Sequence, residues 1–252
     1  MLIQSTQNET VKRMRSLAAQ KGRQETGLHL IEGERLVREA ISSGADIAEL
    51  FIEEGREAED MASSAPRVYT VSRRVMESMT DTGTPQWICA AVRTQDTTPP
   101  ESYPQGLIVA LDRVQDPGNL GTILRTADAM GAAGLLLGGG CADPFGPKVL
   151  RSTMGSVYHI PLWQGELTAE LAKLREAGFS LICGHLAGTE VLPEVGDKCV
   201  LIIGNEGSGV SDEVADMCKK YRLPMYGRAE SLNASVAAGI LMYEIAHAMR
   251  GK

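Results

Sequence analysis

The feature that most constrains this chain lies in its second half. Short, mainly apolar strand-like runs recur at 107–111, 134–137, 157–161, 179–183, 200–203 and 221–223, several of them near-continuous in Val, Ile and Leu. Several lack the polar alternation of a half-exposed strand, which is the pattern of strands covered on both faces of a parallel sheet. Helix-period stretches fall between them at 120–130, 148–153, 167–177, 212–219 and 234–249. Strand and helix in alternation predict the α/β class with a mainly parallel sheet.

Residues 94–105 (TQDTTPPESYPQ) carry three prolines and no aliphatic side chain, so they continue neither a helix nor a central strand. This predicts a first domain over 1–95, a linker over 96–105 and a second domain over 106–252. The first domain alternates too. A helix is predicted over 8–20 and another over 34–41, with shorter ones near Met61 and Val75. Strands are predicted at 29–32, 47–52, 67–71 and 87–92. That is a small α/β layer with a core of its own.

The 252 residues carry a formal charge of −7, which does not exclude a nucleic-acid partner, because phosphate contacts need local cations and not a basic total. Lys12, Arg13, Arg15, Lys21 and Arg23 cluster near the start. The five cysteines are odd in number and never spaced C-x-x-C, and the four histidines show no ligand spacing, so neither a disulfide framework nor a metal site is expected. No apolar run reaches membrane-span length, and the polar start lacks the apolar segment of a secretory signal, so the expected location is the cytoplasm.

Three loops follow predicted strands, where open parallel sheets bind their ligands. In the first, Asp116-Pro117 is a helix start, with Asn119 in the opening turn and Arg125 nearly two turns on. Arg125 also has a plain alternative, an ion pair with Asp128 at i+3. The second loop, IGNEGSGVSDE, places Glu206 among Gly204, Gly207 and Gly209, which permits close backbone approach but is not the G-x-G-x-x-G of a dinucleotide fold. The third carries the capping residues Ser231 and Asn233 into an apolar C-terminal helix.

Taken together and in order, N-x-x-x-x-x-R (Asn119, Arg125), G-N-E-G-x-G (204–209) and L-P-x-x-G-x-x-x-S-L-N-A-S-V-A (223–237) resemble the three motifs of the SpoU (TrmH-like) branch of the SPOUT RNA methyltransferases. The first half is similar to the substrate-binding domain that often precedes them, a ribosomal-protein-like α/β fold. Its carriers are N-x-x-V-K (8–12), L-I-E-G-E-R-L-V-x-E-A (30–40) and D-T-x-T-P-Q (81–86).

The resemblance implies a parallel sheet with a deep trefoil knot, a homodimer, and S-adenosylmethionine as cofactor. It implies 2′-O-methylation of a ribose in structured RNA, ribosomal before transfer RNA. Carried over residue by residue, Gly204, Leu223, Leu232, Ile203 and Met225 would hold the cofactor. Arg125, Asn119, Glu206, Ser231 and Asn233 would form the catalytic group. Lys12, Arg13, Arg35 and Arg151 are the candidate RNA contacts. A guanidinium stays protonated, so Arg125 suits a phosphate or a developing alkoxide better than it suits proton removal. The competing readings are a transfer-RNA ribose methyltransferase, base methylation, a non-catalytic RNA-binding protein of this fold and a Rossmann-type nucleotide enzyme.

Overall fold

The computed structural model describes residues 2–80 and 82–251; Asp81, which opens the 81–86 segment, and the terminal Met1 and Lys252 lie outside them. Two units emerge, Met1–Gln95 with Asp143–Tyr158, and Asp96–Ala142 with His159–Lys252.

The first unit opens with β1 (Leu2–Ile3), α1 (Glu9–Ser16), α2 (Gln20–Thr26), β2 (Leu28–Glu32) and α3 (Glu34–Ser42). It continues through β3 (Ile47–Glu53), α4 (Glu59–Ala62), β4 (Val68–Val71), α5 (Arg73–Met79) and β5 (Ile88–Arg93). The sheet order is β1-β4-β3-β5-β2; β5 runs antiparallel to both its neighbours, and the other pairings are parallel. Val11, Met14, Phe51, Val75 and Met76 form the centre of its core. The helix predicted over 8–20 ends at Ser16, and α2, which begins only at Gln20, is a second helix that the sequence reading lacks; the two cross tightly, since a Cβ on Gly22 would lie 2.1 Å from the Ser16 carbonyl oxygen.

The chain then forms β6 (Gly106–Leu111), α6 (Pro117–Ala129) and β7 (Gly134–Leu137) of the second unit. It returns to the first with α7 (Pro147–Thr153), which packs on β2, and a 3-10 turn at Ser156–Tyr158. Back in the second unit come β8 (Leu162–Gln164), α8 (Leu167–Glu176), β9 (Ser180–Thr189), β10 (Lys198–Ile203), α9 (Asp212–Ala215), β11 (Lys219–Tyr221) and α10 (Ala234–Arg250). This sheet, in the order β11-β9-β10-β6-β7-β8, is parallel throughout. Its central β6 is buried from Leu107 to Leu111, as unbroken apolar strands require.

Two of the boundaries that differ from the sequence reading have a local cause. The strand expected over 157–161 starts only at Leu162, beyond Pro161, whose missing N–H cannot join a ladder; its carbonyl accepts from Leu135 N instead. The helix expected over 212–219 stops at Ala215, because Lys219 and Lys220 take ladder positions opposite Ile182 and Cys183 and make β11 a charged edge.

Candidate active site

All strands of the second sheet point the same way, so the loops after β6, β10 and β11 emerge along one edge. Asp112, buried at the end of β6, accepts from Ser211 N at 2.6 Å and from Arg113 Nε at 3.0 Å, tying the first loop to the second. Burial pushes its pKa up, but these donors outweigh that and hold the carboxyl below the usual range. Asp116 then caps α6, accepting from Asn119 N at 2.8 Å with Pro117 in the first turn, as the Asp-Pro pair predicts.

The second loop doubles back on itself. Asn205 and Gly209 exchange backbone hydrogen bonds of 3.0 and 2.9 Å, and Gly209 adopts a left-handed φ of 71°. Gly204 allows the fold-back, since a Cβ there would lie 2.1 Å from Val210 N. Asn205 pins the loop from both ends of its amide: Nδ2 donates to Arg113 O at 2.8 Å, and Oδ1 accepts from Gly207 N and Ser208 N.

A directed chain of side chains joins all three loops. Asn233 Oδ1 caps α10 by accepting from Ser235 N and Val236 N, while its Nδ2 donates to Asn119 Oδ1 at 3.0 Å. Asn119 Nδ2 in turn donates to Glu206 Oε1 at 3.0 Å. The same carboxylate accepts from Gln115 N and Asp116 N. Partial burial would raise the Glu206 pKa, but the donors from Asn119 and the backbone prevail and hold it low.

Beside this chain is a cavity of about 310 Å³, a size typical of cofactor pockets. Ile203, Gly204, Leu223, Met225 and Leu232, the five residues singled out for the cofactor, all line it, together with Glu206 and Ser231. Asn119 and Asn233 meet at its border through the hydrogen bonds above. The wall also takes Gly184, His185 and Leu186 from β9, which sequence reading missed by ending that strand at Cys183. The glycine in this stretch was the available signal: a Cβ on Gly184 would lie 2.8 Å from Leu241 Cδ1 of α10. Asp112 and Asn205 were also missed.

Arg125 lies on the exposed face of α6 and makes no hydrogen bond or ion pair among the described residues. The i+3 pair with Asp128 is not formed; Asp128 Oδ2 is 2.7 Å from His159 Nδ1. The four basic residues proposed for RNA separate into kinds. Arg13 is committed internally, with Nη2 at 2.6 and 2.7 Å from the two oxygens of the buried Glu49, which Arg67 also reaches. Lys12 pairs with Glu9 on the surface. Arg35 and Arg151 are exposed and unpaired among the described residues. Among those residues no cluster of His, Cys, Asp or Glu could hold a metal, and no helix is long and apolar enough to cross a membrane.

Comparison with known proteins places this geometry. The profile of the SpoU rRNA Methylase family matches residues 106–243, and that of the MRM3-like substrate binding domain matches 8–90. The 23S rRNA (guanosine(2553)-2′-O)-methyltransferase RlmP of Bacillus subtilis is 36% identical over 247 residues, covering 96% of this chain and 98% of its own. The AdoMet-bound rRNA methyltransferase of Sinorhizobium meliloti superposes with a TM-score of 0.90 at 36% identity, over 98% of this chain and 97% of that one. The SpoU methyltransferase AviRb of Streptomyces viridochromogenes, solved in complex with AdoMet, gives 0.83 at 26% identity, over 96% and 98% of the two chains.

Proposed function

Since the chain belongs to the SpoU rRNA methylase family, we propose that it transfers a methyl group from S-adenosylmethionine to a ribose 2′-hydroxyl of large-subunit ribosomal RNA. The observation that carries this reading is the Asn233–Asn119–Glu206 chain, which fixes three loops around one cavity on the same sheet edge. The cavity fits the cofactor on its own chemistry. Ile203, Leu223, Leu232 and Leu241 offer apolar wall, Gly204 leaves backbone bare where a side chain would intrude, and the Glu206 and Glu230 carboxylates complement a cationic sulfonium.

When bound there, S-adenosylmethionine supplies an electrophilic methyl group. The chain must align the ribose, exclude water and stabilise charge on the 2′-oxygen as its proton departs. Glu206 stays ionised and already accepts several N–H bonds, so it orients the loops. Ser231 on the wall and Asn233 at its border position the ribose. Arg125, unpaired and permanently cationic, holds the flanking phosphate or the developing alkoxide.

Lys12, Arg35 and Arg151 are the RNA contacts we retain in the first unit, and Arg13 serves the fold. The ribosomal-protein-like character of that unit and its role in choosing RNA rest on the substrate-domain match. The deep trefoil knot is part of the proposal on the strength of the family match over 106–243. The exposed stripe of Val236, Ile240 and Tyr243 along α10 supports a homodimer, since apolar residues at this spacing gain by burial against a second copy. The protein works where ribosomes are made, in the cytoplasm.

The test is methyl transfer from tritiated cofactor into ribosomal RNA from cells lacking the gene. A 2′-O-methyl group makes the adjoining phosphodiester resist alkaline hydrolysis, and one new resistant position is expected. Label that stays out of ribosomal RNA, or that enters a base, refutes the proposal.

A further inference from the structure

We propose that His159 is a positioning residue for the RNA side of the site: by holding the Asp128 carboxylate it keeps Arg125, one turn earlier on α6, unpaired and available to RNA. Residues three apart on a helix are neighbours, and Arg125 and Asp128 have the charges and the spacing of an ordinary surface ion pair. That pair does not form. Asp128 Oδ2 lies 2.7 Å from His159 Nδ1, with the two side chains 25% and 34% exposed, while Arg125 is left without a partner among the described residues.

The location of His159 makes the contact a built one. It sits between the 3-10 turn at Ser156–Tyr158 and β8, whose Leu162 is in register with Leu135 of β7. The imidazole is therefore held by the sheet that carries α6. A neutral imidazole protonated on Nδ1 donates to the carboxylate as a charged one does. Without it, the Asp128 carboxylate would turn to Arg125, and a bare negative charge would face the phosphates that the arginine must meet.

This inference rests on the reading of Arg125 as the arginine that contacts RNA, and the experiment separates the two. Initial rates are measured with tritiated S-adenosylmethionine and in vitro-transcribed 23S rRNA. His159→Ala should raise the KM for RNA roughly two- to fivefold, the scale of a surface ion pair beside a phosphate site. Its kcat and its calorimetric affinity for S-adenosylhomocysteine should match the wild type. Adding Asp128→Asn should return the KM to the wild-type value, because no carboxylate is left to restrain. An unmoved KM in the single variant, or a raised KM in the double, overturns the proposal.

Filter retention of the same RNA gives a second reading. In an Arg125→Ala background, His159→Ala should cause no further loss of binding. A further loss of the original size shows that His159 acts elsewhere and overturns the proposal. Full methylation by Arg125→Ala alone removes the functional reading itself, and it shows without any His159 variant.

Discussion

Asn119→Asp tests the junction of the three loops with a change of one atom pair. The amide that donates to Glu206 Oε1 at 3.0 Å becomes a carboxylate oxygen, while the oxygen that accepts from Asn233 is kept. Losing a hydrogen bond to a charged group costs about 1.5–3 kcal/mol. Two carboxylates at that separation repel by about 5 kcal/mol at an effective dielectric of 20, and solvent at Glu206 reduces this by roughly half. The pair has an escape, because one member can take up a proton. That costs about 1.4 kcal/mol for each pH unit above a carboxylate pKa near 4, or about 4 kcal/mol at pH 7.

The net destabilisation should therefore be about 3–4 kcal/mol at pH 7 and fall by about 1.4 kcal/mol per unit toward pH 5. The sign follows from the raised pKa of the shared proton in the folded state: stability is present at low pH and lost as pH rises. Asn119→Ala, which creates no second charge, should cost about 2–3 kcal/mol with little dependence on pH between 6 and 8. The assay is urea denaturation across this range, read from the buried Trp163 in a Trp87→Phe background. If the two variants follow the same curve relative to the wild type, Asn119 does not face an ionised Glu206, and the account of the junction is wrong.

Arg125→Ala should lower turnover by at least about 100-fold, the scale of removing one transition-state donor, and leave S-adenosylhomocysteine binding unchanged by calorimetry. Gly204→Ala puts a methyl group 2.1 Å from Val210 N, so the loop must open, and cofactor affinity should drop by more than about tenfold in the same measurement. Arg13→Met leaves the buried Glu49 with Arg67 alone and should destabilise the first unit by about 3 kcal/mol in urea. Arg151→Ala should leave stability unchanged and reduce the salt dependence of RNA binding by about one counterion, seen as a shallower slope of log affinity against log salt.

The parallel sheet was legible because burial on both faces writes itself as unbroken apolar runs, as in Leu107–Leu111. The cavity residues were legible through motif resemblance, and the cap at Asp116 through local chemistry. What escaped depends on distance in sequence. Asp112 is an ordinary acid after a strand until Ser211 N arrives to meet it. Arg13 reads as one more cation in a basic cluster, and only the fold reveals Glu49 opposite it. Asp128 offered a local partner in Arg125, but His159, brought in beside β8, holds it instead. The first unit runs to Gln95, and nothing in composition signals that Asp143–Tyr158 goes back to it.

That return has a consequence for biosynthesis. Phe145, Val149 and Leu150 are buried, and α7 lies against β2, so the N-terminal unit lacks part of its own interior when Gln95 leaves the ribosome. It must wait while β6, α6 and β7 are translated before the missing piece emerges. A cut at the proline-rich linker yields no clean halves: the shorter fragment is an unfinished domain, and the longer one carries that domain's apolar plug into water.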